Sequence, residues 1–495
     1  MAENKPLIIN APREGIAASP HVGFGNMRNL DIFSIPGIVK LNRILEKKTA
    51  TTVTDRVNWM VKNQASPANI YAIDKDGVVY NSADSGATWA SLSDRGGVGQ
   101  GLAVWKDYLF VAVGSSVDVY GPLSGSASWS TGWQSIDSDS SLQPMLVSKL
   151  DGKLYIGADR YIASLAEVSG QNFAPGTGAT FSWTQQALDL PEDYRIKCLA
   201  EQNNFLMIGT WIGANDYNNK IADIFPWDGS SDTYGNPIQM NENGVNGMIN
   251  IGGYLYILAG IDGNIYKSNG VQAWKIAEIP RSVVAIGAGE RMSFYPGAIM
   301  NYDGRLYFGI GSSNLNIDGM GIYSLMETSK GNILNFEHFI STESTSEANG
   351  VNITALLGIS NQQFITSWTD GNVGGTTYGI DLLSTSSFAY ATDYSGFFES
   401  PLYTVGNHLE KRSFRKLEFT LAKELAASEG IQIKFRLNLT DSWTTIGTYT
   451  TVNIGTGQTS YYTDTNIPAC EQIQIRVELL GTATTSPEFK SLILM

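Results

Sequence analysis

The chain has 495 residues and is too long for one ordinary hydrophobic core, so we expect two or more packed units. Hydrophobic residues make up 43% and charged residues only 16%, while 52 glycines indicate many tight turns; this balance excludes a charge-rich helical protein and predicts an all-β chain. The formal net charge of −14 argues against nucleic acid as a partner, because clustered cations drive counterion release from phosphates.

Targeting and redox signals are absent from the sequence. No apolar run approaches the roughly 20 residues that cross a bilayer, and the N-terminus lacks the apolar stretch of a signal peptide. We therefore expect synthesis in a cytoplasm and no membrane insertion. The two cysteines, Cys198 and Cys470, fall in different predicted units, so no disulfide framework is expected.

Residues 1–53 are predicted to be an extended N-terminal arm, because four prolines interrupt regular sheet pairing. The arm is nevertheless apolar, which predicts docking either on its own propeller or on a neighbouring subunit. The candidate assembly residues are Phe24, Met27, Arg28, Leu30, Ile32, Phe33, Ile35, Pro36 and Ile38.

Residues 54–395 repeat one phrase, in which a turn of Asp, Asn or Gly leads into an apolar strand. Copies occupy residues 107–114, 151–157, 204–209, 253–258, 303–309 and, in weaker form, 361–367, with a related unit at 69–73. A spacing of roughly 40 to 60 residues is typical of one four-stranded blade per repeat. The pattern predicts a β-propeller of about seven blades, with six or eight as alternatives.

One hairpin in this region carries a more specific motif. Ser82, Asp84, Gly86, Thr88 and Trp89 follow the order Ser-x-Asp-x-Gly-x-Thr-Trp. This order resembles the Asp-box of sialidase-like and sortilin-like propellers. In those families the box lies away from the active site, so the resemblance implies a structural turn and not an activity.

Residues 396–495 no longer follow the repeat. Alternating apolar and polar residues fill segments 413–421, 431–437, 443–451, 472–479 and 489–494. A period of two over several short strands predicts a C-terminal β-sandwich of the jelly-roll kind.

Residues suited to catalysis or metal binding are few. The three histidines, His21, His338 and His408, lie far apart in the sequence and do not predict a metal site or a catalytic triad. We therefore predict no catalytic residues, no metal and no cofactor. A sialidase-like glycosidase remains the enzyme alternative, because carboxylates could face each other across the propeller channel.

Three segments resemble bacteriophage virion proteins. Residues 19–42 are similar to the N-terminal stretch of phage tail components, in which an Arg-Asn-Leu-Asp element precedes Pro-Gly and Lys; the element here starts at Arg28. Residues 398–401 and 485–494 resemble the beginning and the last strand of sandwich domains in phage tail and fibre proteins. The resemblance implies no catalytic residues.

This resemblance implies a structural component of a tailed-phage virion, in the tail as a hub, nozzle or fibre-attachment ring. Its partners would be other virion proteins in a homo-oligomeric ring, assembled through the arm and the propeller surfaces. The alternative is a propeller that binds a host-surface glycan or protein. Without residues 1–50, the chain is expected to stay folded but not to enter particles.

Overall fold

The computed structural model describes residues 6–12, 15–17, 24–48, 53–64, 69–136, 142–171, 173–175, 181–212, 221–280, 291–312, 319–329, 331–340, 351–371, 377–388 and 396–495. Within these ranges the regular structure is almost entirely β-strand, and the one helix, α1 (Thr451–Ile454), has four residues. Aromatic and β-branched residues favour such pleated, half-buried surfaces. The chain is all-β, as its composition predicts.

Five short strands lie in the N-terminal arm. They are β1 (Leu7–Asn10), β2 (Asn26–Arg28), β3 (Leu30–Asp31), β4 (Lys40–Leu41) and β5 (Leu45–Lys47). Strands β3 and β4 pair with each other, but β1, β2 and β5 pair with strands far away in the sequence. The arm is therefore built into several sheets of the same chain.

Seven four-stranded antiparallel sheets follow in the described ranges, and we name them sheets one to seven in chain order. Sheet one contains β6 (Val57–Lys62), β7 (Ile70–Asp74), β8 (Val78–Ser82) and β9 (Ala90–Asp94). Sheet two contains β10 (Gly99–Trp105), β11 (Tyr108–Val113), β12 (Ser116–Gly121) and β13 (Ser128–Ser135). Sheet three contains β14 (Met145–Val147), β15 (Leu154–Ala158), β16 (Tyr161–Glu167) and β17 (Phe181–Asp189).

The remaining sheets follow the same plan. Sheet four contains β18 (Tyr194–Gln202), β19 (Phe205–Ile212), β20 (Ala222–Trp227) and β21 (Ile238–Met240), and sheet five contains β22 (Val245–Ile251), β23 (Tyr254–Ala259), β24 (Asn264–Ser268) and β25 (Ala273–Glu278). Beside sheet six lie the paired strands β26 (Met292–Ser293) and β29 (Gly311–Ser312), while sheet six itself contains β27 (Ile299–Tyr302), β28 (Arg305–Gly309), β30 (Ile322–Thr328) and β31 (Gly331–His338). Sheet seven contains β32 (Val351–Gly358), β33 (Phe364–Asp370), β34 (Thr377–Leu383) and β5.

The first strands of consecutive sheets lie side by side. Contacts run from β6 to β10, β14, β18, β22, β27 and β32 in turn, and β32 also contacts β6. A sheet that cannot bury both faces alone is covered in this way by its neighbours. The fold is an all-β propeller.

Sheet seven takes its fourth strand from the arm. Strand β5 pairs with β34, and Leu45 lies opposite Leu383. Leu45 is only 1% exposed. The N-terminal arm therefore completes a sheet whose other three strands lie some 300 residues later in the sequence.

Residues 396–495 form two further sheets, each of which includes an arm strand. Their strands are β35 (Gly396–Glu399), β36 (Tyr403–Thr404), β37 (Arg412–Leu421), β38 (Gly430–Arg436), β39 (Thr444–Thr450), β40 (Ser460–Cys470), β41 (Gln472–Leu480) and β42 (Phe489–Leu494). The order is β1-β42-β37-β40 in one sheet and β2-β35-β41-β38-β39 in the other, where β36 also pairs with β41. One buried core joins these sheets, the arm and sheets five to seven.

Candidate functional site

The structure places the residues suited to catalysis apart from one another. His338 is buried in β31, His408 lies in an exposed loop, and His21 lies outside the described residues. In the described ranges, no group of three His, Cys, Asp or Glu side chains is placed to hold a metal ion. No helix in this part of the chain is long and apolar enough to span a membrane.

The two cysteines are free and buried. Burial raises the pKa of the Cys198 thiol to about 12, so the reactive thiolate is strongly disfavoured at neutral pH. Burial likewise raises the pKa of Cys470. Both side chains act as small apolar residues of the core.

Four propeller arginines are engaged in separate ion pairs. The pairs are Arg95 Nη2 to Asp118 Oδ2 at 2.7 Å, Arg160 Nε to Asp189 Oδ1 at 3.2 Å, Arg195 with Asp159, and Arg305 Nη1 to Glu337 Oε1 at 3.0 Å. They lie in or between different sheets. Each of these four arginines has its own acidic partner, so they do not converge on one site.

The Asp-box residues form one hydrogen-bonded turn between β8 and β9. Asp84 Oδ1 accepts hydrogen bonds from Ser82 Oγ and Thr88 N, both at 2.8 Å, and Asp84 Oδ2 accepts one from Thr88 Oγ1 at 2.6 Å. Gly86 adopts a φ of +90°, which favours glycine. Trp89 is 3% exposed and donates its Nε1–H to Gly86 O at 3.1 Å. The box holds the edge of sheet one.

We expect Asp84→Ala to destabilise the protein by about 1–2 kcal/mol, because three hydrogen bonds to one carboxylate are lost. Urea unfolding at pH 7 measures the change. Asp76→Ala, at an exposed position in the preceding turn of the same sheet, is the matched control and is expected to stay within about 0.5 kcal/mol of wild type. Equal stability of both variants would contradict a structural role for the box.

The apolar candidate residues of the arm fall into two groups. Met27 and Leu30 are fully buried, and Ile32 is 7% exposed. Met27 lies opposite Phe398 in the β2–β35 pair. These side chains pack inside their own chain and are not available to a neighbouring subunit.

The remaining candidate residues differ in exposure: Arg28 is 4% exposed, whereas the other five are half-buried or exposed. Phe24 packs edge-on against Phe398, with ring centroids 5.8 Å apart, and Phe33 lies under the Arg305 guanidinium. The Arg28 guanidinium lies 5.7 Å from the centroid of the Phe397 ring. At the outermost positions of the arm, Ile35 is 38% exposed, Pro36 is exposed and Ile38 is half-buried.

A buried carboxylate connects the arm to sheet six. Glu337 is 1% exposed, and its carboxylate accepts hydrogen bonds from Asn42 Nδ2 at 2.6 Å, from Ser324 Oγ and from Arg305 Nη1. Burial raises the pKa of Glu337, while Arg305 and the hydrogen bonds from Ser324 and Asn42 oppose that rise. Asn335 Nδ2 adds a hydrogen bond to the arm at Leu30 O, 2.7 Å long. Polar groups inside the core thus fix the position of the arm.

His338 adds a titratable group to the same contact. Its Nδ1–H donates to Arg43 O at 2.9 Å, and burial lowers its pKa to about 3. In the unfolded chain this pKa is about 6.5, so below that pH the unfolded state binds a proton that the folded state excludes. The contribution of His338 to the free energy of unfolding is fully present above pH 6.5 and is lost as the pH falls toward 3.

We expect His338→Asn to flatten part of the acid denaturation profile, since an Asn amide can donate to Arg43 O but cannot titrate. Between pH 7 and pH 5 the wild type is expected to lose about 2 kcal/mol more stability than the variant. Parallel urea titrations at several pH values measure this difference. Identical pH dependence of both proteins would show that His338 has the same pKa in the folded and unfolded states, and would contradict the lowering by burial.

Residues 24–42 of the arm meet residues 398–401 and 485–494 in space. Val39 and Phe489 exchange two backbone hydrogen bonds of 2.9 Å each, and Leu41 N donates to Ser486 Oγ at 2.7 Å. The segment at 398–401 meets the same arm through β2. Segments separated by more than 350 residues therefore form one structural unit.

Sequence reasoning did not identify Glu337, Asn42 or Asn335 as structural residues. The sequence does contain a signal for Glu337, because Glu337 and His338 interrupt the apolar run 333–340. Charged residues in such runs are rarely buried without partners. Asn42 gave no comparable signal, because its partner is 295 residues away.

Comparisons with known proteins bear on the fold alone. No protein-family model matches the chain, and no curated protein matches it either. Solved structures with a similar fold include the WD40 repeats of RRP9, at 10% identity over 68% of this chain and 99% of that chain with a TM-score of 0.43. YCF48 from Cyanidioschyzon merolae gives 10% identity, 68% and 98% coverage and a TM-score of 0.43. An exo-beta-1,3-galactanase from Phanerochaete chrysosporium gives 9% identity, 92% and 100% coverage and a TM-score of 0.33.

Proposed function

We propose that the chain is a non-enzymatic structural component of a tailed-phage virion and acts in the tail as a hub, nozzle or fibre-attachment ring protein. The observation that carries this proposal is the meeting of the three segments with phage resemblance. Val39 bonds to Phe489, and Met27 pairs with Phe398, so segments that are far apart in sequence belong to one module. Chance resemblance of three short segments would not require them to be neighbours in the fold.

We further propose that the seven sheets are seven blades of one closed propeller, and that the two C-terminal sheets, which contain strands β1 and β2, face each other as a β-sandwich. Contacts between β32 and β6 support closure of the ring. A buried core shared by both C-terminal sheets supports the sandwich, since side chains such as Phe398 and Leu492 are fully buried.

Assembly then proceeds through surfaces that remain exposed. Met27 and Leu30 are buried within the chain, so the arm offers Ile35 and Pro36 as its apolar contacts to other subunits. A ring of copies would repeat this contact around a closed symmetry axis. The arm therefore serves two purposes: most of it holds the chain together, and its outermost loop contacts neighbours.

Mass spectrometry of purified particles tests the proposal. Particles released by cells that make this chain are expected to contain it in a fixed ratio to the other tail proteins, and Ile35→Asp is expected to lower that ratio. Val452→Asp, at a position 91% exposed in the C-terminal unit, is the matched control and should be incorporated normally. Gradient-purified particles that lack the chain would overturn the proposal. Turnover of a fluorogenic sialoside above that of heat-denatured protein would overturn its non-enzymatic part.

A second candidate function, binding of a host-surface glycan or protein, is favoured by one exposed aromatic pair. Tyr254 and Trp274 are 42% and 38% exposed, with ring centroids 6.5 Å apart. The Lys267 ammonium lies 3.9 Å from the centroid of the Tyr254 ring and holds it in place. Exposed aromatic rings can stack on the apolar faces of sugars.

Binding of the labelled protein to host cells tests this alternative. Trp274→Ala is expected to reduce cell binding, while Tyr462→Ala, at a position 48% exposed on the C-terminal sheets, is expected to leave it unchanged. Equal binding of all three proteins, or no binding of any, would contradict a receptor role for the aromatic pair.

A further inference from the structure

The first strands of the seven sheets line an open cavity of about 1040 Å³ on the propeller axis, toward the end at which these strands finish. Its wall is mainly apolar and includes a methionine from each of four sheets, Met60, Met145, Met248 and Met300. Met145 is half-buried, and Met60, Met248 and Met300 are 7%, 5% and 5% exposed, so these unbranched, polarisable side chains present a small apolar surface to a ligand from within the packed sheets. The volume is close to the upper end of the range for small-molecule pockets, about 300–1,000 Å³.

Two lysines stand at the rim of this cavity. Lys62 ends β6, and its Nζ donates to Gly358 O at 2.7 Å and to Ile359 O at 3.0 Å. Lys149 lies in the exposed turn after β14. Among the residues that the structure describes, no carboxylate forms an ion pair with either ammonium group. Lys62 is bonded to neutral carbonyls and Lys149 is exposed, so neither positive charge is neutralised by a carboxylate of the described residues.

One carboxylate also lies at the rim, but it is already engaged. Glu201 Oε1 accepts a hydrogen bond from Lys149 N at 2.9 Å. The rim thus has two cations and one anion on a chain whose formal net charge is −14. This local excess of positive charge favours an anionic group at the mouth of the cavity.

We propose that the cavity binds a flexible apolar chain that ends in a carboxylate, as a long-chain fatty acid does. The apolar chain lies among the methionines, and the carboxylate lies between Lys62 and Lys149. All seven first strands contribute to the wall of this concave site. A concave site accommodates one small linear ligand better than it accommodates the flat surface of a partner protein. Ligand binding in this cavity does not depend on a role of the chain in a particle.

Isothermal titration calorimetry of the full chain with dodecanoate, below its micelle-forming concentration, tests the proposal. Dodecanoate is expected to bind with one site per chain, and dodecyltrimethylammonium, which has the same chain length and a cationic head, is expected to bind at least about tenfold more weakly. Lys62→Glu combined with Lys149→Glu should weaken dodecanoate binding at least about tenfold. Lys411→Glu combined with Lys490→Glu, on the C-terminal unit, is the charge-matched control and should leave binding within about twofold.

A second variant tests the apolar wall. Met145→Asp places a carboxylate at a half-buried wall position and should abolish dodecanoate binding, while Met326→Asp, 36% exposed on sheet six, should not change it. Circular dichroism spectra that match the wild type establish that both variants are folded. Three results would overturn the proposal: no dodecanoate binding, equal affinity for the two head groups, or a short apolar peptide that binds at least about tenfold more tightly than dodecanoate.

Discussion

A chain that lacks residues 1–47 is expected to lose its cooperative unfolding transition and to aggregate on expression. The truncation removes β5 from sheet seven and removes β1 and β2 from the two C-terminal sheets. It also removes Ile9, Met27, Leu30, Leu41 and Leu45, all of which are at most 1% exposed. Burial of each such side chain is worth roughly 1.5–3 kcal/mol, and five of them together match a total stability of about 5–15 kcal/mol.

Thermal unfolding followed by circular dichroism measures this effect, with a chain that lacks residues 1–5 as the control. The control keeps β1 and is expected to melt like the wild type. A truncated chain that stays monomeric with wild-type stability would instead support the expectation from sequence alone, in which the arm is separable from the folded units. The observed pairing of β5 with β34 leads us to the opposite expectation.

The Glu337→Ala variant is expected to lose about 3–5 kcal/mol of stability, the largest effect we predict for a single residue. The change leaves the Arg305 guanidinium, 12% exposed, without the carboxylate that lies 3.0 Å away. It also removes the acceptor for Ser324 Oγ and one of the two acceptors of Asn42 Nδ2, which still donates to Glu337 O. Unpaired polar groups in a core of this kind cost far more than the pair itself contributes.

Urea unfolding of Glu337→Gln separates the contribution of the charge to stability from that of the hydrogen bonds. The amide keeps the shape and one acceptor, so this variant is expected to lose less stability than Glu337→Ala.

Asn42→Ala is expected to cost about 1–3 kcal/mol of stability, because it leaves one side of the buried carboxylate without a donor on the arm. Wild-type stability of Glu337→Ala would show that the buried network does not hold the arm to sheet six.

The propeller could be predicted from sequence because its signals are local. Each repeated phrase of the prediction contains the second strand of a sheet, and the turn before it contains residues with positive φ, such as Asp107, Asn204 and Asp303 at 69°, 66° and 52°. Such turn residues and the apolar run after them lie within about ten residues of each other, so a local pattern is enough.

The partners of the arm could not be predicted in the same way. Its strands have two to four residues, too few for a period to be visible, and β5 lies in a window that favours a helix by composition. Tertiary pairing with β34 overrides that local preference. Apolar content alone predicted that the arm docks, but it could not decide between its own chain and a neighbour.

The rim lysines of the cavity also gave no signal of a binding site, because the sequence does not show that Lys62 and Lys149 are on the same rim.

The most direct test of the account is whether the arm pairs within its own chain. Ala11 N donates to Lys490 O at 2.8 Å, so the pair one position earlier, Asn10 and Ser491, is of the non-hydrogen-bonded type, in which Cα atoms are about 4.5 Å apart and a disulfide can form. Both native cysteines are buried and can remain.

Non-reducing electrophoresis of Asn10→Cys/Ser491→Cys after mild oxidation gives the answer. We predict a disulfide within one chain, seen as a faster-moving monomer band that reverts on reduction. Covalent dimers or larger rings would show that the arm pairs with a neighbouring copy, and would contradict the account.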